Sequence, residues 1–501
     1  MAGAVVNPPL STPAPGAGSH VVDKGLRKGA IGVISSIVIG VASTAPGYSL
    51  AATLGLIVAA VGFQSPAVLW VAFIPMLCIA SAYLYMNRTY PDCGTTFSWV
   101  AKAMGPWAGW LGGWAIIVAD VVVMANLAQI AGLYSFKLFG WDAAASSTFA
   151  VTLVGVAWIA VMTAITVIGI ELSARTQWYL LGAEVATLVI FSVVALIRVY
   201  AGDASAAAEH PALSWFSPFA IDGGTAALTA GVLLAVFIYW GWDSAVSANE
   251  ETEDPTEAPG KSAIASTILL VGIYLLVATA ALAFAGTKEL ADQDDVLSVI
   301  GNDVLGGTFG KLLIIAVLTS AAASTQTTIL PTARTTLSMA RAGALPERLG
   351  VVHERYQTPH FSTILFGGLS IAWYVGLTIV SENILFDSIA ALGLMIAFYY
   401  GLTGFACALY YRREGLKSVK GMLFAVIAPF VGGAILTWVL VKSIIDLSDP
   451  ANSESGDSWF GVGPPLIIGI GFMVLGAALM LWWSRGHRAF FQQKIEVFRA
   501  E

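Results

Sequence analysis

Apolar residues run along this chain in long blocks. Twelve blocks approach the roughly 20 residues that a helix needs to cross a hydrocarbon layer. They fall near 30–60, 66–86, 105–136, 147–170, 176–200, 225–249, 262–286, 308–338, 360–380, 387–411, 419–443 and 464–484. The pattern predicts an all-α integral membrane protein with twelve spans. Two blocks, the first and the sixth, are interrupted at their middles. The first is broken by Ser43-Thr44-Ala45-Pro46-Gly47, the sixth around Tyr239-Trp240-Gly241-Trp242-Asp243. Such a break is costly in lipid, because freed N–H and C=O groups have no water to bond. It is tolerated where backbone lines a protein cavity, and two breaks in corresponding positions point to a carrier-type binding site near the midplane.

Each break has its own chemistry. Pro46 suits the first position of a second half-helix, where its missing N–H would be unpaired anyway. Ser43 and Thr44 are placed to cap that half-helix. Its end offers amides and a positive dipole pole to a carboxylate; the plainer reading is a proline kink. In the sixth block Gly241 lets the chain unwind, the aromatics can wall a pocket, and freed carbonyls can accept from an ammonium group. Three carboxylates lie inside blocks: Asp120 in the third, Glu184 in the fifth and Asp243 in the sixth. An ionisable group in the membrane costs several kcal/mol, so each is a functional candidate. The alternative is a neutral acid or a structural partner of the backbone. Asp120 follows Pro106 by fourteen residues, which places it about 20 Å along its helix, in the outer half. A carboxyl group shielded from water can load a proton and lose it when the site reopens, which suits proton coupling through Asp243 and Glu184.

Composition sharpens this picture. Apolar residues make up 57 % of the chain and charged residues 11 %, with a mean hydropathy of +0.79. A soluble protein carries about a quarter charged residues. The net charge of −7 and the absence of a basic stripe argue against nucleic acid. Cys78, Cys93 and Cys407 are too scattered for a disulfide framework or metal cluster, and His20, His210, His353, His360 and His487 all lie outside the blocks. No metal, cofactor or enzymatic centre is therefore expected. A channel would want rings of repeated polar groups, and a transporter-like nutrient sensor a sizeable extra domain. The expected tails, 1–29 (disordered) and 485–501, leave no room for one.

With a cytoplasmic N-terminus, only Lys137, Arg198, Lys288, Lys311 and Lys442 of the 24 lysines and arginines fall outside. That bias predicts both termini on the cytoplasmic side of the cell membrane. The outer loops are acidic instead (Asp292, Asp294, Asp295; Asp446, Asp449, Glu454, Asp457), which reads as a solvated surface or a cation-collecting funnel. The acidic run Glu250, Glu251, Glu253, Asp254 with Glu257 reads as a helix end in solvent, or as an inner gate paired with Arg27, Lys28 or Arg334.

Several motifs carry a resemblance: Ala45-Pro46-Gly47-Tyr48-Ser49; Pro91-Asp92-Cys93-Gly94 leading to Phe97-Ser98-Trp99 and Gly105-Pro106; Gly112-Gly113-Trp114; Gly241-Trp242-Asp243 followed by Asn249-Glu250-Glu251; and the stretch from Arg334 to Pro346. Together they resemble the amino acid–polyamine–organocation superfamily of permeases, over nearly the whole chain after residue 24. The resemblance implies two inverted five-helix repeats (30–200 and 225–411, a leucine-transporter-like fold), two appended helices (419–484) and alternating access. It implies that a substrate carboxylate meets amides at Ser43, Thr44, Ala45 and Gly47, and that its amine meets carbonyls at Phe237, Ile238 and Trp240. One departure is that Pro46 cannot donate. Phe237 matches an aromatic that closes over the substrate, Asp243 an acid that titrates in proton-linked relatives, and Asp120 a side-chain pocket faced by Ser324 and Thr328. Glu184 matches a position where some relatives carry a lysine in place of a sodium ion; a carboxylate suggests a proton or cation site instead.

The expectation is a proton-coupled permease for an amino acid, leaning toward cationic side chains because of Asp120. A putrescine-type diamine importer or an amino acid exchanger is the alternative.

Overall fold

The computed structural model describes residues 23–496 apart from 292, 294, 381 and 454. The expected tail before residue 23, His20, Asp292, Asp294, Glu454 and Arg499 lie outside the described residues. The first half holds α1 (Val33–Ser43), α2 (Pro46–Val61), α3 (Ser65–Thr89), α4 (Thr96–Met104) and α5 (Pro106–Phe139). It continues through the short α6 (Asp142–Ala145), α7 (Thr148–Ile168) and α8 (Ile170–Ala201). The second half holds α9 (Gly224–Ile238), α10 (Ser244–Ser247), α11 (Ala258–Ala291), α12 (Val296–Leu305) and α13 (Gly307–Arg341). It is completed by α14 (His360–Val380), α15 (Glu382–Tyr410), α16 (Val419–Gly421), α17 (Ala428–Asp446), α18 (Pro464–Gly486) and α19 (Arg488–Phe491).

Ten helical stretches among the described residues are long and apolar enough to cross a membrane. One of them, Val33–Thr89, runs through the first two expected segments. The sixth expected segment is the shorter apolar α9 and its irregular continuation. Burial sorts these helices by role. In α5 and α13, 78 % of the most apolar stretch is buried, against 33 % in α7 and 28 % in α14 and α18. The outer helices turn large apolar side chains such as Phe149, Leu153, Ile364 and Leu481 outward, as lipid contact demands. The α5–α13 pair carries the polar residues inside, where Asp120, Asn126, Ser324, Thr328 and Arg334 find protein partners.

Both expected interruptions are present. α1 ends at Ser43 and α2 opens on Pro46, so the first break is narrower than the five residues read from sequence. The residue before a proline is pushed out of the right-handed helical region. Ala45 sits at φ 47, ψ 60, a left-handed conformation that costs a non-glycine residue about 1–2 kcal/mol. The second break runs from Tyr239 to Asp243 and turns on Gly241 at φ 117.

Within residues 23–29, expected in the disordered tail, Lys24 and Leu26 are buried. Lys24 is 4 % exposed. Just beyond, Ile31 forms a parallel bridge with Thr252, through Ala30 N–H to Glu251 O at 2.8 Å and Glu253 N–H to Ile31 O at 3.0 Å. The start of α1 is thereby tied to the segment after α10.

Candidate functional site

The two breaks touch. A Cβ on Gly241 would lie 2.6 Å from Ser43 O, so only glycine, at this positive φ, lets the strands of irregular backbone approach. Ser43 Oγ and Ser244 Oγ share a hydrogen bond of 2.8 Å across the contact. Ser324, from α13, donates its hydroxyl to Ser43 O at 2.8 Å. Three elements far apart in sequence are thus held at one point by groups that carry no charge.

Side chains and turns satisfy several of the groups that the breaks free. Thr44 and Ala45 N–H fold back to Val41 and Ala42 carbonyls at 3.2 and 3.1 Å. Ser43 and Thr44 do not cap α2, contrary to expectation: Ser43 Oγ faces Ser244, and Thr44 Oγ1 donates backward to Val41 O at 2.7 Å. The cap position falls to Ala45, which has no side-chain acceptor. Gly47 N–H donates to Glu184 Oε1 at 2.7 Å, and Tyr48 N–H to Ser320 Oγ at 3.1 Å. In the second break Phe237 O accepts from Trp240 N–H at 3.1 Å, while Ile238 O takes the Tyr274 hydroxyl at 2.5 Å. Gly47 and Ile238, expected to offer free groups, are therefore occupied by partners from within the chain.

Asp243 sits in a cage of phenols. Tyr400 Oη donates to Oδ1 at 2.9 Å; Tyr399 and Tyr83 donate to Oδ2 at 3.1 and 3.4 Å. Trp242 stacks on Tyr400, and Trp240 Nε1 donates to Tyr399 Oη. Three hydroxyl donors can hold a buried carboxylate without a counter-cation. Asp120 accepts from Thr332 Oγ1 at 2.7 Å and lies within electrostatic range of Asp243. Thr332 in turn reaches back to Thr328 O. Asp120 stands in the half of α5 that starts at Pro106. The helix has 34 residues, about 51 Å, so fourteen residues stop short of its middle. Phe237 is half-buried against the core at the end of α9.

The tyrosines were missed from sequence. Tyr399-Tyr400 in the middle of an apolar block was the available signal, since buried phenols need partners. Lys24 was missed too, because it lies in a stretch that reads as tail.

A second polar cluster lies at the end where α1 begins. Lys24 Nζ reaches Asp92 Oδ2 at 2.8 Å and Glu250 Oε1 at 2.5 Å, and Cys93 N–H donates to Glu250. Ser98 and Ser338 hydroxyls complete the Asp92 shell. Arg334 grips Glu251 with two bonds of 2.7 and 3.0 Å, both side chains fully buried. Of the pairs expected between the acidic run and Arg27, Lys28 or Arg334, the one with Arg334 is present, through Glu251; Glu250 takes Lys24 instead, and Arg27 and Lys28 pair with Glu171 and Asp23. Burial opposes the charge on Lys24, yet Asp92 and Glu250 hold it protonated well above the usual lysine range. Burial also opposes ionisation of Asp92, but Lys24 and the two hydroxyls keep its carboxyl below the usual value. Burial pushes the Glu250 carboxyl up despite Lys24. Asp92, Cys93 and Glu250 converge closely enough to ligate a metal ion, but the Lys24 ammonium already bonds both carboxylates.

A helical membrane protein whose two interrupted helices meet at buried carboxylates has the make-up of a carrier. The chain belongs to the amino acid permease family, whose model matches residues 28–473. It is similar to an uncharacterized transporter of Mycobacterium tuberculosis, 28 % identical over 68 % of this chain and 72 % of the relative. It is also similar to the low-affinity putrescine importer PlaP of Escherichia coli, at 23 % identity over 81 % and 86 % of the two chains. The serine/threonine exchanger SteT of Bacillus subtilis is 21 % identical, over 82 % and 89 %. The protein is thus a multi-pass membrane permease and not an enzyme.

Proposed function

We propose that the protein is a secondary carrier that moves a small ammonium-bearing solute, a cationic amino acid or an amine, across the cell membrane by alternating access and with proton coupling. The observation that carries the reading is the contact of the two breaks, Ser43 against Gly241, beside buried carboxylates that, among the described residues, have no cationic side chain as partner. Twelve spans in two inverted repeats, with cytoplasmic termini, complete the proposal. They are supported by the family match and by the lysine and arginine bias.

In this reading Asp243 exchanges the proton, its cage of Tyr83, Tyr399 and Tyr400 holding whichever form is present. Asp120, with Ser324 and Thr328 on the facing wall, receives the charged end of the substrate. Phe237 closes over it. The paired charges at the other end, Lys24 with Asp92 and Glu250 and Arg334 with Glu251, break when that side opens.

Diamine import is the second reading, favoured by Glu184 sitting on the Gly47 amide. Purified protein in liposomes, offered basic amino acids, neutral amino acids and diamines in competition at two pH values, tests the proposal. Uptake of a basic solute that rises with an inward proton gradient is expected. Absence of uptake for every member of the panel would refute it.

A further inference from the structure

We propose that Glu184 occupies, as a fixed part of the protein, the seat that a substrate carboxylate would take at the first break, and so sets the site to accept amines lacking an α-carboxylate. The inference rests on the carrier reading and narrows its substrate class.

Every backbone donor at the break is used. Thr44 and Ala45 N–H turn back into α1, Pro46 has none, Tyr48 N–H goes to Ser320, and Gly47 N–H is taken by Glu184 Oε1 at 2.7 Å. Gly47 belongs to the first turn of the 16-residue α2, where the dipole and amides favour an anion. An anion is already there.

The anion is built in. Glu184 is fully buried, and it projects from the 32-residue α8, which packs along α13, α11 and α1. Its carboxylate is also half-used. Among the described residues Oε2 is buried with no hydrogen-bond partner of its own, the neutral Ser320 hydroxyl is the side-chain donor beside the carboxyl group, and no lysine, arginine or histidine pairs with it. Gly47 from α2 and Ser320 from α13 line it, and Tyr274 from α11 is the titratable group that faces it.

An unpaired carboxylate oxygen shielded from water is an acceptor in want of a cationic donor. A substrate ammonium supplies that donor. A substrate carboxylate would instead meet a like charge at hydrogen-bond range and find no free N–H. Glu184 thus attracts one end of a solute and rejects the group that separates an amino acid from its amine.

The test uses matched pairs that differ only in the α-carboxylate: cadaverine against lysine and putrescine against ornithine. Uptake into liposomes and ligand-induced thermal shift are both read on the full-length protein. The wild type is expected to favour each amine at least tenfold. Glu184→Ala, which frees the Gly47 amide, is expected to swing the ratio at least tenfold toward the amino acid. Should that variant fail to fold, Glu184→Gln keeps the shape without the charge and is expected to weaken amine binding tenfold while sparing the amino acid. A wild type that favours the amino acids, or an amine preference that both variants leave unchanged, overturns the inference and leaves the carrier reading standing. If the wild type moves and binds neither member of any pair, both fall.

Discussion

The middle of the molecule and the end near residue 24 handle buried charge in opposite ways. At the end the buried acids have cations: among the described residues Asp92 and Glu250 share Lys24, and Glu251 holds Arg334. In the middle Asp120, Glu184 and Asp243 are met by hydroxyls and one backbone amide. Removing one partner of a buried ion pair leaves a charge with nowhere to go, so such pairs hold a shape. A carboxylate held by neutral donors keeps its charge open to a proton or an ammonium group. In the proposed carrier, the paired end would serve closure and the middle binding.

The comparison can be broken most forcefully at its paired end. Arg334→Met leaves Glu251 buried and alone, and is expected to cost about 3–5 kcal/mol of stability. Thermal unfolding in detergent measures it, and Arg334→Met combined with Glu251→Met should recover much of the loss. A single variant as stable as the wild type would show that the pair holds nothing.

Lys24→Met comes next, at about 2–3 kcal/mol, smaller because Glu250 is only partly buried. Its pH dependence has a definite sign. Lys24's folded value lies above 10.5, so its contribution is complete below that pH and is lost only as pH rises past the folded value. Asp92 is held below 3.8, so its share is present above that pH and lost as pH falls through the lower folded value. Glu250, pushed above 4.5, takes its proton first on acidification. The gap between wild type and Lys24→Met should be flat from about pH 6 to pH 9 and shrink in acid. A gap that widens on acidification would contradict the pairing.

In the middle, Gly241→Ala forces a Cβ to within 2.6 Å of Ser43 O at an unfavourable φ, and strain of this kind costs about 1–3 kcal/mol. It should reduce uptake at least tenfold while the paired end stays intact. Unaltered uptake would mean that the contact between the breaks is dispensable. Asp243→Asn should flatten the pH dependence of uptake with little loss of stability, and Tyr400→Phe should displace the pH profile less than that. A profile unchanged in Asp243→Asn would move proton coupling elsewhere. The smallest effect is expected of Asp120→Asn: weaker uptake of basic solutes alone, and equal uptake of lysine would remove Asp120 from the substrate pocket.

What could be read from the sequence follows the same division. The long apolar helices and the two breaks were legible because they depend on local chemistry, namely run length, Pro46 and Gly241. The three carboxylates stood out because acids are rare in apolar blocks. Their partners were hidden. Glu184 and Gly47 are 137 positions apart, and Asp243 and Tyr400 are 157 apart. Such pairs arise only from how helices pack. Lys24 looked like tail because nothing local shows that Asp92 and Glu250 wait for it. The capping role given to Ser43 and Thr44 failed for a related reason: a hydroxyl beside a break bonds whichever neighbour packing supplies, here Ser244 and the preceding turn.

Substrate protection at the contact between the breaks tests the central claim most directly. In protein with Cys78, Cys93 and Cys407 replaced by alanine, Ser43→Cys would be labelled with a membrane-permeant maleimide, with and without a transported basic solute. The account predicts slower labelling, half-maximal at the concentration that half-saturates transport. Labelling that proceeds at the same rate while that solute is being transported would place the site elsewhere.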